Sequence, residues 1–551
     1  MRGNVLQMRK LMILLLTLLT VVAAGCGSDK QSLPSENKKI AVQQGGQLKY
    51  GSLQEPNTLN PLLSDFLSTA EVGRLLFSGL VITGDKGEWL PDLAVDVPTM
   101  ANGGVTPDGL RITYRLRQGV KWHDGMEFTA EDVKFTWQLI MNRKVNIVWR
   151  DGYDKISDIE TPDKYTVVIK FKEFYAPYLT LFTTILPKHR LENAGDINKA
   201  AFNRAPIGTG PFKFKDWQIA EAVVLEANTS YYRGKPVLDS IVYKVIPDAN
   251  LLLTQLKTGE LDIASNIGFS HLEQVKALDG IRTVIAPTMV WEHMDFNLDN
   301  VLFQDVRVRK AIALAIDPQA IITNVLKGVA SPAYADQSPL SWAYNPMQQP
   351  TGKDINTARN LLAQAGWQPG SDGIMTKENK KLAFSLTTPT GNRQREQTAQ
   401  KIAEQLKEIG VLVEVRPVEG QVFFSEVLKN RRFETALYAW MAGIDPDNTN
   451  LWHSRKIPGA ANAYTGQNYP GWRNPEVDRL TELGVRTVDT AARKDIYFLI
   501  QDFIRQDCPV VPLFFRGNID AVKTSVANYQ PNPTPSGNMW NAWQWGFTIT
   551  K

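Results

Sequence analysis

LRITYRLRQGVKWHDGMEFTAEDVKFTW, Leu110–Trp137, decides the fold. Ile112, Tyr114 and Leu116 alternate with Thr113, Arg115 and Arg117, the period of a strand buried on one face. Gln118-Gly119 and Asp124-Gly125 are turn signals. Thr129 and Asp132 have the spacing of a capping box, with Asp where Glu or Gln is usual. Val133, Trp137 and Ile140 then share one apolar helix face. The stretch reads strand, turn, strand, turn, helix. His123 and Asp124 could serve as a catalytic pair, but packing alone accounts for every residue in it.

The chain has 551 residues, more than one core accommodates, so two or more domains are expected. Arg2, Arg9 and Lys10 supply three of the four net positive charges, leaving 58 basic against 57 acidic residues. That balance gives no argument for nucleic acid. Arg9-Lys10 precedes a 14-residue apolar run, Leu11–Ala24, too short for a comfortable membrane span. The run ends in Ala23-Ala24-Gly25-Cys26, which resembles a bacterial lipobox. Residues 1–25 are expected to be a signal peptide, and residues 26–44 a lipidated Cys26 with a polar tether. Two acyl chains on Cys26 would hold the protein on the extracytoplasmic face of the cell membrane. The other cysteine, Cys508, is then left without a partner and is expected to be a small buried residue.

Further segments read as regular structure. Ser240–Ile246, Ala249–Thr258 and Leu261–Ala264 give strand, helix, strand. Leu382–Thr387, Arg393–Ile409 and Val411–Arg416 form a βαβ unit, with Gly410 ending its helix. Ala492, Ile496, Leu499, Ile500, Phe503 and Ile504 put a long helix at Val488–Gln506. Phe174–Leu181 and Val422–Asn430 are expected to be helical. Trp291–Leu298, Phe433–Trp440 and Val510–Phe515 are expected to be strands.

Several motifs in this order resemble one family. They are Tyr114, Arg117, Gly119, Trp122, Asp124-Gly125, Phe128 and Asp132 in the opening stretch, then Arg204–Phe214 (RAPIGTGPFKF), Gly259–Ile263 (GELDI) and Leu361–Trp367 (LLAQAGW). The sequence is similar to the extracytoplasmic solute-binding proteins of ABC transporters, family 5, the oligopeptide/dipeptide/nickel class. The resemblance implies an α/β fold, two-lobed and periplasmic-binding-protein-like (class II, cluster C type), with an extra subdomain inserted in the first lobe. Lobe I is placed at 45–290 plus 513–551, the insertion at about 75–204, and lobe II at 291–512. It also implies a monomer that closes on a peptide or other small solute and docks on the transmembrane subunits of a permease, with no cofactor. An oligosaccharide or a nickel chelate is the alternative solute.

Large rings concentrate between Tyr438 and Trp472, amid glycines and prolines, a composition that suits a binding cleft. In peptide-binding members of the family, an Asp three residues after a Trp pairs with the ligand's α-amino group, and an Asp-Pro pair follows. Here Trp440 and Asp445-Pro446 match, but the anchoring position falls on Gly443 or Ala442, counted from one side or the other. The anchor is therefore absent, or is supplied by Asp445, Asp447, Asp65 or Glu292. The expected ligand-binding set is Trp440, Asp445, Asp65, Tyr438, Trp452, Trp149 and Glu292. The five histidines are scattered without metal spacing, and no nucleophile elbow or zinc-protease motif occurs, so neither a metal site nor an enzyme is expected.

Overall fold

The computed structural model describes residues 41–347 and 352–549. The chain divides into two units at Ala41/Val42, and the architecture below belongs to the second. The expected signal peptide, Cys26 and most of the tether lie outside the described residues.

The chain enters through β1 (Gln47–Ser52) and α1 (Leu67–Leu76), and a short hairpin follows at Val81–Pro91. The opening stretch folds as β2 (Arg111–Arg115), a turn-rich link, and α2 (Ala130–Met141). β3 (Ile156–Asp163) and β4 (Thr166–Phe171) complete a three-stranded antiparallel sheet with β2. Asp132 explains why the link holds its path. Its carboxylate accepts from the Thr129 N–H at 3.0 Å, the Lys188 N–H at 2.9 Å and the Trp122 indole.

The RAPIGTGPFKF segment docks directly on that link. His123 Nδ1 accepts from the Gly208 N–H at 3.1 Å, so Nε2 must carry the proton it gives to the Gly210 carbonyl at 3.1 Å. Burial then pushes the His123 pKa down to about 4. Asp124 pairs instead with His189 at 2.9 Å. His123 and Asp124 are thus structural and do not form a catalytic pair. A Cβ at Gly208 would stand 1.8 Å from the Leu76 carbonyl oxygen, so only glycine fits there.

β5 (Phe212–Gln218), β6 (Ala222–Ala227), β7 (Ser240–Val245), α3 (Ala249–Thr258) and β8 (Ile263–Ala264) continue the first lobe. β9 (Ile281–Phe296) runs 16 residues, roughly 50 Å of extended chain. The second lobe then supplies α4 (Val306–Ala315), β10 (Ala383–Pro389), α5 (Arg393–Lys407), β11 (Leu412–Val418) and β12 (Thr435–Met441). It ends with α6 (Pro475–Arg486) and α7 (Thr490–Asp507), and β13 (Val510–Lys523) leads back.

One sheet threads both lobes, in the order β11-β10-β12-β9-β13-β8-β1-β7-β6-β5, with Ala330–Pro332 paired to β13. β10, β11 and β12 are parallel, as are β8, β1 and β7. β9 and β13 are antiparallel and belong to both sides. Their early-to-late pairing, Ile281–Pro287 with Gly517–Lys523, adjoins β8, whereas Trp291–Asp295 with Val510–Phe515 adjoins β12. The pairing shifts register between Pro287 and Trp291, which marks the passage from one lobe to the other.

The two lobes have separate cores. Tyr50, Tyr114, Trp122 and Trp545 belong to the first, which also takes in the inserted sheet. Trp545 stacks over Tyr50 with centroids 6.4 Å apart, fixing the C-terminal segment on this lobe. The helix α5 and the positive φ of Gly410 after it match the sequence reading, and Cys508 is buried.

Other segments differ from it. Phe174–Leu181 forms only a 3-10 stretch at Ala176–Thr180, kinked at Pro177. Val422–Asn430 becomes one helical turn leading into a π-helix, Phe423–Leu428. The two crossover strands are much longer than Trp291–Leu298 and Val510–Phe515.

In the first core Glu71 accepts from the hydroxyls of Tyr243 at 2.6 Å and Tyr50 at 3.1 Å. Burial raises its pKa to about 7, and the two hydroxyl bonds only partly offset that. The folded chain therefore keeps a proton that the unfolded chain releases near 4.5. This contribution to stability is complete below that value and is lost as pH rises towards 7. Glu71→Gln should flatten the fall in urea midpoint between pH 5 and pH 8; parallel curves for the two proteins would refute it.

Candidate functional site

The carboxyl ends of parallel strands are where open α/β sheets bind ligands. Here β10 and β12 end side by side, next to the crossover pair. After β10 the chain turns through Thr390–Asn392, and the Asn392 side chain caps α5 by accepting from the Arg395 N–H at 2.9 Å. That cap brings Arg395 in the first turn towards β9. After β12 the Ala442 N–H donates to the Met289 carbonyl at 2.8 Å, keeping the segment that follows Trp440 against the crossover.

Glu292 stands at this junction, opposite Ala439 on one side and Phe514 on the other. It is 1% exposed, yet it carries a charge. Arg395 donates from Nε to Oε1, and Arg516 donates from Nε to Oε2 at 2.9 Å and also from Nη2. Burial works to raise the Glu292 pKa, but the charges of Arg516 and Arg395 and their hydrogen bonds prevail and hold it below the usual value. Above this ion triad lies a cavity of about 160 Å³. Asn266 and Gly268 line it from the first lobe, Asn392 and Arg395 from the second, and Glu292 and Arg516 from the crossover strands.

On the other face of the sheet, where Tyr438 and Trp440 pair with His293 and Trp291, the rings form a stack. Trp440 lies nearly parallel to Tyr469 with centroids 6.3 Å apart, and Phe424 packs on Trp440 at 6.2 Å. Tyr438 lies beneath them, 1% exposed, and donates its hydroxyl to Asp295 at 2.6 Å. Burial raises the Asp295 pKa to about 7.

The structure separates the expected ligand-binding residues into three groups. Glu292 and Trp440 sit at the junction of the lobes. Asp65 and Trp149 share an edge of the first lobe, where the Val148 N–H donates to the Leu62 carbonyl at 3.1 Å. Trp149 is 69% exposed, and Phe66 and Leu67 beside Asp65 are exposed too. Asp65 makes no side-chain hydrogen bond or ion pair among the described residues.

Tyr438 and Trp452 require correction, because both are interior. Trp452 packs against Trp291 and Trp472, and its indole donates to the buried Asp336 at 2.8 Å. Asp445 is near the junction but is already committed: Arg493 of α7 grips it from Nη1 at 2.7 Å and Nη2 at 2.6 Å. Asp447 accepts from the Thr449 N–H at 3.0 Å and its hydroxyl at 2.6 Å, closing its own turn. Arg395 and Arg516 were not anticipated. A lone charge in the apolar run Val510–Ile519 was the signal for Arg516, since a charge inside such a strand requires a partner.

A family model described as "Bacterial extracellular solute-binding proteins, family 5 Middle" matches residues 90–461. The chain belongs to this family. It is 32% identical to the oligopeptide-binding protein AppA of Bacillus subtilis, over 98% of this chain and 99% of that protein. The solved structure of that protein, in complex with a nonapeptide, superposes with a TM-score of 0.70 over 92% of this chain and all of the other. The structure of NikZ from Campylobacter jejuni in complex with Ni(L-His) is 27% identical, with a TM-score of 0.72 over 91% of this chain and 99% of its own. The two-lobed fold expected from the sequence is the fold of these family 5 proteins.

Removing the Glu292 charge leaves two partly buried guanidiniums facing each other. Glu292→Gln should lower the unfolding free energy by roughly 3–5 kcal/mol. Arg395→Gln, which leaves the Arg516 pair intact, should cost distinctly less in the same urea titration. The Glu292 pKa is depressed on folding, so its contribution is present above the ordinary carboxylate range and is lost as pH falls. Equal losses in the two variants, or none in Glu292→Gln, would contradict this account of the triad.

Proposed function

We propose that the chain is the solute-capturing subunit of an ABC importer and that its cleft receives oligopeptides. In this reading the protein is cleaved before Cys26, lipidated there, and held on the extracytoplasmic face of the membrane. Lobe I (45–290 plus 513–551) and lobe II (291–512) close on the solute by bending at the β9/β13 crossover, and the closed form docks on a permease. The observation that carries the proposal is near full-length similarity to an oligopeptide-binding protein. The ring-lined end of β12 supports it: rings offer contact area at low entropy cost.

A second reading, a metal-chelate receptor, is favoured by one feature. The positions where an acidic amine anchor is expected hold Ala442 and Gly443, and Asp445 is occupied by Arg493. A buried ammonium with no carboxylate would cost several kcal/mol, so a solute without that group fits these positions better.

Native mass spectrometry of the chain from Gly27 onward, purified without denaturant from rich medium, tests the proposal. Release of a ladder of peptide masses is the expected result. If the protein arrives empty, a peptide at a hundredfold excess over its Kd should add about 2.7 kcal/mol of stability. Stabilisation by nickel–histidine alone, with no peptide active, would overturn the peptide reading.

A further inference from the structure

We infer that the inserted subdomain is a latch: its Ala176–Thr180 turn and the Val81–Pro91 hairpin dock on lobe II and favour the closed arrangement without help from solute. The inference rests on the two-lobed fold and not on which solute is carried.

Three observations converge. The first is packing between the lobes. Val488 stands in the turn between α6 and α7, well inside lobe II by sequence, yet it packs half-buried against the first core. The Ala176–Thr180 turn packs on α6 itself. The hairpin approaches lobe II backbone to backbone: a Cβ on Gly87 would stand 2.5 Å from the Leu340 carbonyl oxygen. None of these segments belongs to the sheet that threads both lobes, so they can part while its strand pairs stay made.

The second is that both faces are held in place from behind. On the insertion, Tyr178 donates its hydroxyl to the Pro98 carbonyl at 2.9 Å, and Tyr175 stacks on Phe171 with centroids 6.2 Å apart. On lobe II, Arg493 of α7 donates from Nε to the Gly484 carbonyl of α6 at 2.6 Å, while its two Nη atoms grip Asp445. One guanidinium thus ties α6, α7 and the loop after β12 into a platform. Asp445, spent on Arg493, serves that platform.

The third is electrostatic. Burial raises the pKa of Tyr175 and of Tyr178. Asp447 and Asp445 of lobe II push Tyr175 further in the same direction, and Arg493 and Asp445 act in opposite senses on Tyr178. Both phenols therefore stay neutral, and the insertion presents uncharged rings to the acids of lobe II. The ring-rich stretch Phe174–Leu181 thereby has a use that its own short 3-10 turn does not require.

These contacts run from protein to protein, so they favour closure whether or not solute is present. The chain then visits the closed form before capture, and a solute meets a receptor in which part of the closing contact is already supplied.

The test needs no solute. The chain from Gly27 onward carries Gln138→Cys on α2 of the insertion and Leu499→Cys on α7, both at exposed positions, while Cys508 is buried. It is freed of solute, checked to be empty by native mass spectrometry, spin-labelled, and its distances are read by pulsed electron paramagnetic resonance. A short-distance species should be present beside a longer one. Val488→Asp, which sets a charge against the first core only when the lobes are closed, should lower the ratio of short to long about tenfold, the scale of taking one valine out of apolar contact. Val488→Leu should preserve the ratio. Should the aspartate variant fail to fold, Val488→Ser should move the ratio in the same direction by less. A single long distance in the parent chain, or a ratio that the polar substitution leaves unchanged, would overturn the latch. Either result leaves peptide capture standing, because no peptide takes part.

Discussion

The antiparallel pairing of β9 with β13 is the constraint on which the remaining structure depends. Each strand is long enough to serve both lobes, and each has partners on both sides of the register shift between Pro287 and Trp291. The first lobe's parallel strands attach through β8, and the second lobe's through β12. Cutting this pair would leave two lobes with separate cores and no shared sheet. A shift of register in a shared strand is also a place where the sheet can bend.

The same pairing explains where charge can be buried. Glu292 lies on β9 just beyond the shift, where the sheet is covered from both sides. A lone carboxylate would not stay ionised there. Two arginines, one from β13 and one from the first turn of α5, keep it charged and tie the crossover to the second lobe. The surplus of one positive charge at this point is a consequence of that arrangement, and it faces a cavity that both lobes line.

Local features were legible in the sequence. The first strand, the turns and the helix of the opening stretch, the αβ unit ending in β8, and the helix α5 with Gly410 at its end follow from alternation, turn residues and caps within a few residues of one another, whereas the second strand expected in the opening stretch is reduced to a single bridge between Lys121 and Glu127. The long crossover strands were read short, because Pro287 and the lone Arg516 break the apolar pattern just where the strands pass between lobes. The site was less legible than the fold. Ring density pointed to the right segment, but composition cannot tell a ring on the rim from one in the core, and Trp452 and Tyr438 proved interior. Asp445 reads as open to ligand in the sequence because its partner, Arg493, lies on α7, in a different element of the fold. Pairings of that kind are set by tertiary packing and leave no mark in local sequence.

The most direct test of the central claim, that solute is held at the crossover between the lobes, is a crystal structure of the chain from Gly27 onward with the solute it carries from rich medium. The account predicts extended density along the end of β12, where β9 and β13 pass between the lobes. Solute density confined to another surface, away from the β9/β13 junction, would contradict it.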